Sequence, residues 1–300
     1  MTAKVILNPY SNRWNSQKRW PEAESALKAA GVVYDLAISG KKGQIVELAE
    51  QAVIQNFSPI IVAGGDGSIG DAVNGLMRTV HTTQGQLPPL GIMPTGSAND
   101  LVYALGLPTR LDEAATVIAR GRTKAMDLGK LNDRYFVNNS AAGLEPYVTI
   151  KHEKIYWIKG MARYLVAAVQ AIMDKPEWQG IVKWDDKEYR GKFSLISVGN
   201  GRRTGGFFMT PHADPFDGKL TFAFGYRDTR LGLFQALPRA FNEDKGSYVE
   251  MEGMNEVHAR RISIHLDKPS PAHTDGELLP EWLQDFEYEI LPKCLHITIA

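Results

Sequence analysis

The sequence predicts two domains, a doubly wound α/β domain at the N-terminus and a mainly antiparallel β-sandwich at the C-terminus. Over the first part of the chain, short apolar runs alternate with amphipathic segments, which is typical of a parallel sheet covered by helices. Beyond it, short β-like segments are separated by turn residues. We place the domains at residues 1–124 and 125–300, and leave open that the last strand returns to the N-terminal domain.

The N-terminal elements follow from buried apolar runs and from helical periodicity. Pro21 and Gly31 mark the two ends of the first helix, because proline is favoured in a first turn and glycine after a last turn. The predicted strands are 5–8, 32–38, 59–63 and 90–93, and the predicted helices are 21–30, 44–55, 69–79 and one that begins near Asn99. Ligands of such sheets bind at the carboxyl ends of the strands.

The C-terminal part contains one long helical stretch, predicted over residues 152–175. Its apolar residues recur every three or four positions, and Lys154, Lys159 and Arg163 cluster near its start. Such a helix either packs on the core or lies on an anionic membrane, and both interpretations stay open. The predicted strands of this part are 135–138, 180–184, 192–198, 219–224, 261–266 and 286–290.

Composition narrows the class of protein. Lys plus Arg equals Asp plus Glu, at 34 each, so no global charge favours nucleic acid, and an anionic ligand requires a local site. The single cysteine, Cys294, excludes an internal disulfide and indicates a reducing compartment. With no signal-peptide pattern and no apolar run of about 18 residues, we expect a cytoplasmic protein whose membrane contact is peripheral.

A glycine-rich turn follows the third predicted strand, where residues 64–68 read Gly-Gly-Asp-Gly-Ser. Glycines let the backbone approach a ligand, and the N-terminus of the next helix favours anions, so this turn is suited to polyphosphate. Asp66 would crowd a phosphate, so we expect it to serve a metal ion or to hold the loop. A tight turn without a ligand is the competing interpretation.

Two further motifs bear on this interpretation. Residues 96–100 read Gly-Ser-Ala-Asn-Asp and follow the fourth strand. Taken alone, they indicate only helix capping. Because both turns lie at the same edge of the sheet, together they form a binding cradle, which capping does not explain. Residues 275–277 read Asp-Gly-Glu, and taken alone are typical of an exposed acidic turn. Neighbouring His273 has no metal-ligand spacing and is interpreted as incidental. Residues 205–209 form an apolar loop that either borders a lipid pocket or is a buried turn.

Together these three motifs resemble the catalytic domain of diacylglycerol kinases, a family that includes bacterial lipid kinases and sphingosine and ceramide kinases and is related to NAD kinases. Order and spacing match over nearly the whole chain. The resemblance implies ATP and Mg²⁺ in an interdomain cleft, and a lipid hydroxyl as acceptor. A kinase of a soluble polyol or nucleotide, and a non-catalytic nucleotide-binding regulator, remain alternatives. The identity of the lipid and the oligomeric state, a homodimer included, are left open.

The resemblance also implies site residues. Glu277 matches the proton acceptor, with Asp275 as the competing assignment and Glu145 in the same network. A structural magnesium site maps to the Asp217 carboxylate and the carbonyls of Asp214 and Lys219. The positions implied for ATP are Asn8, Ser39, Gly64, Gly65, Asp66, Gly67, Ser68, Ile69, Gly70, Asp71, Ser97, Asn99 and Asp100.

Several positions depart from the family pattern. Where bacterial members commonly have Thr-x-Asn-Glu after the first motif, residues 68–71 read Ser-Ile-Gly-Asp, so Gly70 lacks a side chain that could reach the nucleotide. Leu101 and Tyr103 replace the usual Phe and Arg, and Glu145 replaces an Asp. We expect these changes to affect affinity and acceptor choice more than the type of reaction.

Overall fold

The N-terminal domain is built on a parallel sheet. The computed structural model describes residues 2–158 and 161–300. The four N-terminal strands lie in the order β2-β1-β3-β4, and all neighbouring pairs are parallel. They are β1 (Ala3–Leu7), β2 (Tyr34–Ile38), β3 (Ile60–Gly64) and β4 (Leu90–Pro94).

Five helices cover the two faces of this sheet: α1 (Asn15–Ala29), α2 (Gln44–Ile54), α3 (Asp66–Arg78), α4 (Asp100–Ala104) and α5 (Leu111–Arg120). Successive strand residues point to opposite faces. Val5 therefore packs with α1 and α5, whereas Ile6 packs with α2, α3 and α4. The predicted doubly wound α/β domain is confirmed.

Two helix boundaries differ from the prediction. The first helix begins at Asn15, so Pro21 lies inside it and not in its first turn. Its additional turns are stabilised by a tertiary contact, since the hydroxyl of Ser16 is 2.6 Å from that of Thr95 beyond β4. The helix predicted from Asn99 is split into α4 and α5, because the chain turns at Gly106 with φ +62°.

The C-terminal domain is an antiparallel sandwich, as predicted. Its first layer has the order β12-β11-β10-β7-β14-β15, and its second contains β16, β13, β8 and β9, with β5 and β6 beside β16. Buried aromatic residues such as Phe136, Phe193 and Phe222 fill the space between the layers. The strands are β5 (Thr123–Leu131), β6 (Arg134–Phe136), β7 (Asn139–Gly143), β8 (Trp178–Trp184), β9 (Lys187–Phe193), β10 (Leu195–Gly199), β11 (Leu220–Gly225), β12 (Met254–Ala259), β13 (Arg261–Ser270), β14 (Ala272–Thr274), β15 (Glu277–Leu278) and β16 (Leu283–Thr298).

The last strand joins the two domains. Ile297 of β16 pairs in parallel with Leu90 of β4, and the rest of β16 pairs with β5 and β13. One layer of the sandwich is thus continuous with the N-terminal sheet. This connection places the β14–β15 turn against the first turn of α3.

The helical stretch of the C-terminal domain is not one helix over residues 152–175. It forms α6 (Leu144–Lys154) and α7 (Met161–Asp174), and the chain is extended at Ile155; α8 (Arg230–Arg239) packs against α7. Of the predicted apolar stripe, Ile155 and Ile172 are buried, which supports the core-packing interpretation, whereas Val169 is exposed. Lys159 lies outside the described residues. No described helix is both long and apolar enough to cross a membrane.

Candidate active site

The two glycine turns of the N-terminal sheet touch each other. The amide of Gly96 donates to the carbonyl of Gly64 at 3.0 Å. A Cβ on Gly96 would lie 2.3 Å from Cα of Gly65, a distance that real Cβ atoms do not reach. The close approach needs glycine on both sides, so the turns after β3 and β4 form one continuous backbone surface at the carboxyl edge of the sheet.

Asp66 holds this surface together. Its carboxylate accepts hydrogen bonds from the amides of Asp100 (3.2 Å) and Leu101 (2.9 Å), which begin α4. Burial raises the pKa of Asp66, while these backbone donors lower it. Of the two roles expected for Asp66, the contacts support the one of holding the loop.

Asp100 extends the same chain of contacts into the C-terminal domain. It accepts hydrogen bonds from the amides of Gly205 (2.5 Å) and Gly206 (3.2 Å). Burial and the charge of Asp66 raise the pKa of Asp100 to about 7. The guanidinium of Arg203 lies 3.4 Å from this carboxylate and 4.2 Å from the ring centroid of Tyr103. Arg203 thus contacts both Asp100 and Tyr103, the latter being one of the positions that depart from the family pattern.

Asp275 is buried and fully engaged with the backbone. Its carboxylate accepts hydrogen bonds from the amides of Val137 (2.9 Å), Asn138 (2.8 Å) and Asn139 (3.1 Å), which join β6 to β7. Burial raises the pKa of Asp275 to about 7 against the opposite effect of these donors. A Cβ on Gly70 would lie 2.6 Å from Oδ2 of Asp275, so Gly70 makes room for this carboxylate.

Glu277 is more open than Asp275. Its side chain is 40% exposed, and its Oε2 lies 3.0 Å from Nζ of Lys42. It packs on the first turn of α3, where a Cβ on Gly67 would lie 2.9 Å from Cγ and Oε1 of Glu277. The residue borders two cavities.

The first cavity is polar, with a volume of about 420 Å³. In its wall, the side-chain amide of Asn8 donates to Oγ of Ser68 at 2.9 Å. Asp71 also faces this cavity and forms an ion pair with Arg134 at 3.2 Å. The other predicted residues in its wall are Ser39, Gly65 and Gly67. Ile69 is different, because its side chain is buried in the core and its amide donates to the carbonyl of Gly65.

The second cavity is mainly apolar, with a volume of about 360 Å³. Side chains of α6, α7 and α8 and of the loop at residues 205–209 form its interior. They include Val148, Ala168, Ile172, Phe207, Leu233 and Ala236. Polar groups lie at its mouth, among them Ser97, whose hydroxyl donates to Asn12, and Glu277. Asn99 lines neither cavity, and its side-chain amide donates to the carbonyl of Gly96 at 3.3 Å.

Glu145 lies at the start of α6 and lines the apolar cavity, where it takes part in a hydrogen-bond network. It accepts hydrogen bonds from Asn139 (3.1 Å) and Ser197 (2.9 Å), and Nε2 of His273 lies 3.1 Å from it. Asn139 also contacts Asp275 through its backbone, so Glu145 and Asp275 share one network. His273 is buried in this network, contrary to the prediction that it is incidental. Its position beside the Asp-Gly-Glu motif was the only signal in the sequence.

The predicted magnesium ligands lie in the turn before β11. Oδ1 of Asp217 accepts a hydrogen bond from the amide of Lys219 at 2.9 Å, and the amide of Asp217 lies 3.4 Å from the carbonyl of Asp214. Oδ2 of Asp217 has no hydrogen bond within the described residues. A carboxylate oxygen beside main-chain carbonyls fits the hard ligand set of Mg²⁺. Because the described part of the chain has no group of three His, Cys, Asp or Glu side chains arranged for a metal, a site here would rely on carbonyls and water.

Comparison with known proteins agrees with this architecture. A crystal structure of a diacylglycerol kinase from Bacillus anthracis str. Sterne shares the fold, with a TM-score of 0.74 and 20% identity over 100% of this chain and 97% of that chain. Residues 2–131 match the diacylglycerol kinase catalytic domain, and residues 138–299 match the YegS C-terminal NAD kinase beta sandwich-like domain.

Curated relatives extend over both domains. A diacylglycerol kinase of Staphylococcus epidermidis is 31% identical over 277 residues, 92% of this chain and 85% of that protein. One of Mycobacterium tuberculosis is 28% identical over 282 residues, 91% of this chain and 87% of that protein. The chain belongs to the diacylglycerol kinase family, and it is a kinase that acts on an alcohol group. Membership implies the use of ATP.

Proposed function

We propose that this protein transfers the γ-phosphate of ATP to a lipid hydroxyl, such as that of diacylglycerol, in the cleft between its domains. The observation that carries the proposal is the position of Glu277, where a polar cavity meets an apolar one. Phosphoryl transfer needs a phosphate site and an acceptor hydroxyl that meet in line beside a proton acceptor.

The polar cavity is the ATP side. The joined turns after β3 and β4 offer backbone amides and the positive end of α3, with Asn8, Ser39 and Ser68 adding polar side chains. Mg²⁺, when bound, neutralises phosphate charge during transfer, and the Asp217 turn would hold a structural ion. Asp66, Asp100 and Asp275 keep the turns in place through their contacts with the backbone.

Glu277 is the proton acceptor in this proposal. Its exposed carboxylate can receive a hydroxyl proton, whereas both oxygens of Asp275 are occupied by backbone amides. The lipid oxygen forms a bond to the γ-phosphorus, the bond to ADP breaks, and the proton passes to Glu277. Because a carboxylate is a weak base for an alcohol, Glu277 mainly orients the hydroxyl and takes its proton late.

The apolar cavity is the acceptor side. Its interior suits acyl chains, while Glu145 and Asn139 at its polar end can recognise the head of the lipid. A soluble polyol or NAD would leave this apolar surface without a partner. The cavity therefore favours the lipid acceptor over the alternatives.

An assay with a panel of acceptors tests the proposal. Labelled ATP and Mg²⁺ are incubated with diacylglycerol, monoacylglycerol, phosphatidylglycerol, a sphingoid base, ceramide or NAD. Replacement Ala236→Phe narrows the apolar cavity, so kcat/KM for long-chain diacylglycerol should fall by about 10–100-fold while the KM for ATP is unchanged. Replacement Gln235→Phe on the exposed side of α8 is the matched control. Label on NAD alone, or equal loss in both variants, would contradict the lipid acceptor.

The same helices favour a peripheral contact with an anionic membrane. Between α6 and α7, Tyr156 and Trp157 are 80% and 64% exposed, and their rings pack edge to face at 5.3 Å. Exposed Lys154 precedes them, and Arg13 donates to the carbonyl of Ile155 at 3.4 Å. Aromatic side chains beside cations are typical of a surface that enters the headgroup region. The surface formed by Lys154, Tyr156 and Trp157 would bring the apolar cavity to the bilayer that holds the lipid.

Replacement of both Tyr156 and Trp157 by Ser should weaken vesicle binding by about tenfold, because two aromatic side chains no longer enter the interface. The measurement is sedimentation with vesicles of phosphatidylcholine and phosphatidylglycerol, and with phosphatidylcholine alone. Replacement Ile54→Ser removes an exposed apolar residue of α2 and should leave binding unchanged. Unchanged partition of the double variant would assign membrane contact to another face.

A further inference from the structure

We infer that Lys42 is a phosphate-binding residue that exchanges its partner between Glu277 and the bound nucleotide, so that nucleotide binding frees the proton acceptor. The inference rests on the proposed function and adds a positioning residue to it. Its basis is an ion pair that lies inside the polar cavity, at the point where phosphates and acceptor would meet.

Lys42 belongs to the connection between β2 and α2, and both Lys42 and Glu277 face the polar cavity. Its Nζ lies 3.0 Å from Oε2 of Glu277, and its side chain is 80% exposed, so it can move without breaking a packed core. Glu277 and, at longer range, Glu153 and Asp71 raise the pKa of Lys42, which keeps it charged. Gly43 follows with φ +80° and directly precedes α2.

The position of Glu277 puts the ammonium group close to the phosphate site. Glu277 packs on Gly67 in the first turn of α3, the turn that would bind phosphates. A cation 3.0 Å from this carboxylate is within one rotamer change of a phosphate bound there. Polyphosphate carries more charge than one carboxylate, and hence competes well for Nζ.

The exchange has two effects on the reaction. Without nucleotide, Lys42 occupies the carboxylate that must accept the hydroxyl proton. With nucleotide, Lys42 neutralises phosphate charge, and Glu277 becomes free for the acceptor. The two substrates are then coupled through one side chain, and the competition by Glu277 weakens nucleotide binding.

The test is a double-mutant cycle of nucleotide affinity, measured by calorimetry with ADP and with ATP in the presence of Mg²⁺. Lys42→Met should weaken ATP binding by about tenfold, while Lys42→Arg should retain most of it. Glu277→Gln should bind ATP about three- to tenfold more tightly than wild type, and this gain should vanish when Lys42→Met is present. A gain that persists without Lys42 reflects general repulsion between Glu277 and phosphate, and would overturn the exchange.

Kinetics give a second, independent readout. In Lys42→Met the KM for ATP should rise by about tenfold while kcat at saturating ATP stays close to that of wild type, because Glu277 is already free of Lys42 once nucleotide is bound. A lower kcat with an unchanged KM for ATP would mean that Lys42 stays on Glu277 during turnover, and would contradict the exchange. Lys28→Met, which breaks an exposed ion pair on α1, is the control. Wild type that binds ATP but phosphorylates none of the acceptors would contradict the proposed function; an active wild type with unchanged ATP affinity in Lys42→Met would contradict only this inference.

Discussion

Replacement Glu277→Gln is expected to lower kcat for lipid phosphorylation by about a thousandfold and to leave the fold intact. Glutamine keeps the size of the side chain and can still accept a hydrogen bond, but it cannot take the hydroxyl proton. The fold should tolerate the change because the side chain is 40% exposed and its described ion pair is the one with Lys42. The measurement is single-turnover transfer of label from ATP to diacylglycerol, with thermal unfolding as the check of folding.

Glu281→Gln is the matched control, because Glu281 is exposed and lies four residues further along the chain. It should keep the activity of wild type. An active Glu277→Gln protein would move the role of proton acceptor away from Glu277, and Asp275 would have to be reconsidered.

Replacement Asp275→Asn should have a different effect from Glu277→Gln. It disturbs three backbone hydrogen bonds in a buried site, so it should lower the free energy of unfolding as well as activity.

The N-terminal fold could be predicted from the sequence because its pattern is local. The continuous apolar runs of β1 and β3 and the helical periodicity of α2 are visible within single segments. The start of α1 could not be predicted, since it depends on the contact between Ser16 and Thr95 across 79 positions. The break at Ile155 was missed for a related reason: the apolar stripe continues through it, although the chain there is extended.

For the candidate site, too, the sequence predicts what depends on local pattern and not what depends on long-range contacts. The three motifs identified the glycine turns and Glu277, because each motif lies within a few residues of sequence. The contacts that join them do not follow from local pattern. Asp66 reaches α4, Asp100 reaches the amide of Gly205, and His273 reaches Glu145 across 128 positions. Lys42 gave no signal, since a lysine beside a glycine in a connection is common.

Replacement Gly96→Ala should disrupt the site with the smallest possible change in side chain. The new Cβ would lie 2.3 Å from Cα of Gly65 and 2.7 Å from Oδ1 of Asn99. Backbone atoms cannot yield as a flexible side chain does, so the turns after β3 and β4 must separate. We expect the free energy of unfolding to fall by about 1–3 kcal/mol and kcat/KM to fall by about 100-fold, because the backbone amides that would bind phosphate move apart.

Gly40→Ala is the matched control for this change. A Cβ on Gly40 would have its nearest contact at 3.5 Å, with the side chain of Gln44, which is an ordinary van der Waals distance. That variant should stay within about 0.5 kcal/mol of wild type in stability, and should keep its activity. Denaturant unfolding and ATP affinity together separate the outcomes. If Gly96→Ala bound ATP with the affinity of wild type, the two turns would not act as one phosphate-binding surface, and the ATP side of the proposal would have to lie elsewhere in the polar cavity.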